Sequence, residues 1–161
     1  MGSILERVKG NVEQAGEIED EGIELAEQDA EEIEETESIL DSMDEGLDED
    51  ILEAKEVTRE AAKSEASDHM STEVHGRLES GYDVANDAIN ESTDQAQRSR
   101  SAADMFRDLQ RVTDFGSGAA DSSAATAEGT AEQFDEYADE AKNEMERTEE
   151  LFNRLLDRIR S

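Results

Sequence analysis

Ser3-Ile-Leu-Glu-Arg-Val-Lys-Gly-Asn-Val-Glu-Gln-Ala15 is the stretch on which the fold class turns. Ser3 followed three residues later by Glu6 is a capping box, in which the hydroxyl accepts from a free backbone N–H and the Glu reaches back. Leu5, Val8, Val12 and Ala15 then recur at spacings of three and four, the two-per-heptad seam of a coiled coil. A strand would alternate apolar and polar residues instead.

Downstream of Ala15 the seam shifts through Ile18, Gly22 and Leu25. It resumes at Ala26, Ile33, Leu40 and Leu47, with Met43 between. The shift has the look of a stutter, and Gly10, Gly16 and Gly22 weaken the first half of this helix. The pattern predicts a first helix over about residues 3–45, ending near Glu45-Gly46. A second capping pattern, Asp50-Ile51-Leu52-Glu53, opens a second helix over about 51–113 through Ala54, Val57 and Ala61. Residues 67–81 are rich in Ser, Asp, His, Thr and Gly, which predicts a kink or a short break. Beyond them the inner face uses small residues, Ala85, Ala88, Ser92, Ala96, Ser99 and Ala103, before Phe106, Leu109 and Val112. Asp114-Phe115-Gly116-Ser117-Gly118 is the clearest turn in the chain. A third helix follows over about 121–160, with Phe134, Tyr137, Ala138, Ala141, Met145, Thr148, Phe152, Leu155 and Ile159 on its stripe. The expectation is an all-α chain: three long helices in an elongated coiled-coil-type hairpin or bundle, the middle one kinked, forming a single unit over 1–161.

Composition bounds the setting. Among 161 residues, 46 are acidic and 15 basic, for a formal net charge of -31, and there are no prolines and no cysteines. Lysine is reduced to Lys9, Lys55, Lys63 and Lys142, and arginine supplies the other cations. Such a balance fits either a disordered acidic chain or a folded protein of a salt-accumulating cell, where concentrated cations screen the self-repulsion. Helical spacing of the apolar residues favours the second reading, so folding is expected to need high concentrations of monovalent cations. The charge is uneven: residues 1–50 carry -18, residues 51–120 carry -6 and residues 121–161 carry -7, while Arg154, Arg158 and Arg160 make the last turns basic. Arginines there complement the helix dipole. No proline interrupts the helices, and the absence of cysteine removes disulfides, thiolate nucleophiles and Cys-based metal sites. No run approaches the ~20 apolar residues of a membrane span, and Met1–Gly10 lacks the apolar core of a signal peptide. Synthesis in the cytoplasm of a halophilic cell is the expectation, with incorporation into a virion or other large assembly.

The candidate chemistry is thin. Asp41-Ser-Met-Asp-Glu-Gly46-Leu-Asp48 has the acid and glycine content of a calcium loop, but Met43 stands at its third position and Leu52 at its twelfth, where a bidentate Glu is required. An acidic, solvated turn is the simpler reading. His69 and His75 are six residues apart and cannot chelate one ion from a straight helix, and the Glu-x-x-His spacing of bundle metal sites is missing. No nucleophile elbow, phosphate loop or dinucleotide fingerprint is present. The reading is therefore of a protein that is not an enzyme and carries no cofactor or metal. An acidic surface repels phosphate, which excludes nucleic acid as a partner. What remains is interaction. Leu151, Phe152, Leu155, Leu156 and Ile159 form an apolar face wider than a two-residue seam. Either it packs within the chain's own bundle, with Ile4, Leu5 and Val8 as neighbours, or it docks a protein partner, self-association first. Met105, Phe106, Leu109, Val112 and Phe115 form a second apolar cluster. The expected function is a non-catalytic structural or assembly protein of a halophile, an oligomerising component of a particle such as a virion, tail or injection apparatus. The alternative is a helical adaptor or chaperone-like protein that binds a partner helix or a hydrophobic surface.

Overall fold

The computed structural model describes residues 3–161 and is all-α, with no strand among the described residues. Helix α1 spans Ile4–Asp41, α2 Glu49–His69, α3 His75–Val112 and α4 Ser117–Arg160. A single π-helical turn, Met70–Val74, joins α2 to α3 with helical backbone on both sides, so the two form one uninterrupted run. The described residues therefore form three helical segments and two corners.

The caps follow local chemistry. Ser3 Oγ accepts from the Glu6 N–H at 3.2 Å, the forward half of the expected capping box. At the start of α2 the cap is Asp48, two residues ahead of the position read from sequence; its side chain accepts from Asp50 N–H at 3.0 Å. The α3–α4 corner turns on Gly116, whose φ of 73° lies in the left-handed region that only glycine adopts freely. Helix α4 starts immediately after it, at Ser117, four residues earlier than expected.

The soft region 67–81 holds no break; its irregularity is the π turn, a feature at which helices bend. Ala66, Met70, Val74 and Leu78 face inward at three successive steps of four, and the last three are almost completely buried. Twelve residues of ordinary α-helix would rotate that stripe by about a third of a turn away from the core, at 3.6 residues per turn. One wider turn absorbs the drift and keeps the stripe pointing inward.

Packing divides the chain into two compact units, and α1, α3 and α4 each contribute to both. The first comprises Met1–Gly16 and Tyr82–Met145. Its core is built from Val8, Val12 and Ala15 of α1, Ala85, Ala88 and Ala96 of α3, and Ala131, Phe134 and Ala141 of α4. Small side chains let these helices approach closely but bury little apolar area each. Arg7 of α1 pairs with Glu91 of α3, while Arg100 and Arg107 of α3 pair with Asp135 and Glu128 of α4.

The second unit comprises Glu17–Gly81 and Glu146–Ser161. Its core holds larger side chains: Ile33, Leu40, Met70, Val74, Leu78, Phe152, Leu156 and Ile159 are buried. Here α1 and α3 run antiparallel and nearly touch. A Cβ placed on Gly22 would overlap the Leu78 side chain, and one on Gly81 would stand 3.3 Å from the backbone nitrogen of Glu19. Gly22 is therefore a packing residue, where the sequence suggested only a weakened helix. The same contact explains the apparent stutter in α1. Positions 19 and 22 lie on the inward face, but they are held by a buried glutamate and a glycine, so the apolar pattern lapses while the face stays buried.

Candidate interaction surface

The five residues of the face read near the C-terminus lie in the second unit, on α4. Phe152, Leu156 and Ile159 are buried, Leu155 is half-buried and Leu151 stands at the margin of exposure. The His75 ring packs against Phe152 with centroids 5.1 Å apart, Arg158 pairs with Glu34 of α1, and Arg160 Nε donates to Ser67 Oγ at 2.9 Å. Most of this face is thus occupied by the chain's own helices. The neighbours are α1 beyond residue 30 and the α2–α3 run; Val8 belongs to the core of the first unit.

The acidic corner between α1 and α2 uses its carboxylates locally. Asp44 Oδ1 accepts from Gly46 N–H at 2.9 Å, Asp48 caps α2, and Asp41 pairs with Arg59. His69 and His75 each engage their own carboxylates. His69 Nδ1 lies 2.5 Å from Asp29 Oδ2 and its Nε2 3.3 Å from Glu73, whereas His75 lies between Glu79 and Glu149. The hydrogen bond to Asp29, helped by the charges of Asp29 and Glu73, raises the pKa of His69 above its ordinary value. Among the described residues no group of three or more His, Cys, Asp or Glu side chains converges to hold a metal ion. No helix among them is long and apolar enough to cross a membrane.

An exposed apolar surface lies at the α3–α4 corner of the first unit. Met105 is 69% exposed, Leu109 49%, Val112 78% and Phe115 90%. Phe106 is half-buried between the helices, and a shallow groove of ≈ 260 Å³ runs from Phe106 and Leu109 across Phe115 to Ala119 and Ser123. The sequence flagged these side chains as a cluster, but placed Leu109 and Val112 on the inner stripe of α3. That stripe is in fact Ala85, Ala88, Ser92, Ala96 and Ala103, ending at Phe106. Met105, Leu109 and Val112 belong to the neighbouring flank.

Ion pairs identify which flank it is. Glu91, which binds Arg7, stands fourteen residues before Met105 and twenty-one before Val112, on the same heptad position. Arg100 and Arg107, directed at α4, lie on the opposite side of α3. The exposed stripe therefore continues the flank that α1 covers further back. Helix α1 begins at Ile4, one turn from the Arg7–Glu91 pair, and further along the same flank Arg98, Met105, Leu109 and Val112 are exposed.

Charge sets the same region apart. Between residues 95 and 127, Arg98, Arg100, Arg107 and Arg111 balance Asp104, Asp108, Asp114 and Asp121, so this stretch is neutral within a chain of net charge -31. Asp94, Asp135 and Glu128 add to it as ion-pair partners, and the region stays less acidic than the α1–α2 corner; exposed apolar side chains on such a surface make a place for association with protein. No family model, curated protein or solved structure matches the chain.

Proposed function

We propose that this chain is a non-catalytic helical assembly protein of a halophilic cell, one that self-associates as a component of a larger particle such as a virion, tail or injection apparatus. The observation that carries the reading is the α3–α4 corner, where four large apolar side chains stand exposed on a neutral stretch of an otherwise strongly acidic protein. A first unit whose core is mostly alanine gains stability by adding apolar contacts to a neighbouring chain. The halophilic setting is supported by where the acids lie: Glu19 is the one buried acidic side chain among the described residues, and the others face solvent or ion-pair partners. A surface of this kind holds water and cations in concentrated salt and repels itself in dilute buffer.

A second reading, a helical adaptor, draws on the groove at the same corner. Its apolar lining accepts a side chain from a partner helix as readily as one from another copy. Molar mass by light scattering in multi-molar KCl, with circular dichroism on the same sample, separates the two. A helical oligomer of defined mass supports assembly, and a helical monomer moves the reading to the adaptor. A chain that stays unfolded in that salt overturns the halophilic setting.

A further inference from the structure

We infer that the exposed stripe Met105, Leu109 and Val112, with Phe115 at its end, is an isologous contact through which two copies of this chain pair, α3 against α3. The inference rests on the assembly reading and names the surface and the partner.

Three observations converge on a second copy as the occupant. First, the stripe has the a/d spacing of a helix-pairing seam, with steps of four and then three, and it prolongs the flank of α3 already used to pack α1. Its shape is therefore that of a surface made to receive a helix. Second, charge decides which helix. A chain carrying -31 repels its own kind over most of its surface, and long-range repulsion is weakest where charge is locally balanced. Residues 95–127 sum to zero, and even with Asp94, Glu128 and Asp135, which pair with three of their arginines, the region is less acidic than the α1–α2 corner, so two copies can approach there. Third, the borders of the stripe are self-complementary. Asp104 and Asp108 stand towards the start of one border and Arg111 at its end, where it pairs with Asp108 three residues before it. In an antiparallel two-fold contact, the acidic end of this border on one helix meets the basic end on the other. An isologous interface needs this property, because the same patch must serve both sides.

The exposed apolar residues near the α1–α2 corner do not meet these conditions. Ile39, Ile51 and Val57 near the α1–α2 corner are also open to solvent, but residues 37–63 hold ten acids against Lys55, Arg59 and Lys63.

The test compares the full-length chain with the double variant L109E/V112E and the control V57E in multi-molar KCl, by light scattering. The wild type is expected as a dimer or a multiple of one. The tip variant is expected at half that mass with unchanged helical circular dichroism, and the control at the wild-type mass. A residue-specific readout uses the absence of native cysteine. Leu109→Cys and Val57→Cys variants are oxidised and run on a non-reducing gel, with an inter-chain disulfide expected from the first alone. A wild-type monomer overturns both the assembly reading and this contact. A wild-type oligomer that survives L109E/V112E, or that cross-links through Val57→Cys and not Leu109→Cys, overturns this contact and leaves the assembly reading standing.

Discussion

The α1–α2 corner and the α3–α4 corner both leave large apolar side chains in water, but they do so in opposite electrostatic surroundings. Ile39, Ile51 and Val57 stand in a stretch of net charge -7 over residues 37–63, whereas Met105, Leu109, Val112 and Phe115 stand in a neutral one. The units that carry the corners differ as well. The acidic corner belongs to the unit with Met70, Leu78, Phe152 and Ile159 in its core, and the neutral corner to the unit whose core is mainly alanine. The contrast teaches that apolar exposure alone does not mark a docking surface. A unit with a substantial core of its own tolerates solvated apolar residues among repelling charges. A thinly packed unit with a neutral, uncovered flank has both the need for a neighbour and the means to admit one.

The sharpest way to break this contrast is to truncate one leucine on each side of it. Leu78 is fully buried, and Leu78→Ala is expected to destabilise the chain by about 2–5 kcal/mol in denaturant titrations in concentrated KCl. Leu109→Ala, measured at concentrations low enough to keep the chain monomeric, is expected to change stability by less than about 0.5 kcal/mol. Equal losses would mean that Leu109 is part of the monomer's core and not a surface held for a partner.

A smaller effect separates the two turns themselves. Gly116 has a φ of 73°, so Gly116→Ala is expected to cost about 1–2 kcal/mol through backbone strain. Gly46 has no positive φ, and an added Cβ there meets Asp44 Oδ1 at an ordinary 3.4 Å. Gly46→Ala is therefore expected to be neutral within about 0.5 kcal/mol by the same measurement. If the two substitutions cost the same, the geometric distinction between the corners is lost.

The smallest effect is a pH dependence confined to one unit. Both histidines lie in the second unit, and His69 has its pKa raised by Asp29 above the ordinary 6.5. A raised folded-state value favours the folded protein when His69 is charged. Its contribution is complete below about pH 6.5, the unfolded value, and is lost as pH rises through the higher folded value. Hydrogen exchange in the second unit is expected to quicken slightly between pH 6 and 9, after correction for the intrinsic rate. The first unit should not respond, and His69→Gln should abolish the effect. Because the His69 side chain is 43% exposed, solvent screening keeps the amplitude low. The opposite sign would show that the Asp29 contact does not form in solution.

Much of the architecture was legible from spacing alone. The capping box at Ser3, the turn at Gly116 and the stripe of α4 through Phe134, Ala141, Phe152 and Ile159 all stand where local chemistry put them. Caps and turns are settled within four or five residues, which is the range over which a sequence pattern can be read. Two internal features were visible only as weak composition. The π turn at Met70–Val74 appeared as a soft region, although the inward steps of four from Ala66 to Leu78 carry its signal. Gly22 looked like a helix defect because a glycine's role in close packing depends on the side chain that faces it.

The interaction surface was the least legible. Leu151–Ile159 and Met105–Phe115 are equally apolar as sequence, and periodicity marks both as faces that want covering. Only the tertiary structure distinguishes them: α1 and the α2–α3 run cover Phe152, Leu156 and Ile159, while Met105 and Val112 stand exposed. The sequence by itself determined that this is a long-helical, acidic protein with two corners, because helix formation, capping and charge are local or additive properties. Which apolar residues ended inside was decided by which helices run alongside one another at each level, and that is a property of pairs of distant segments.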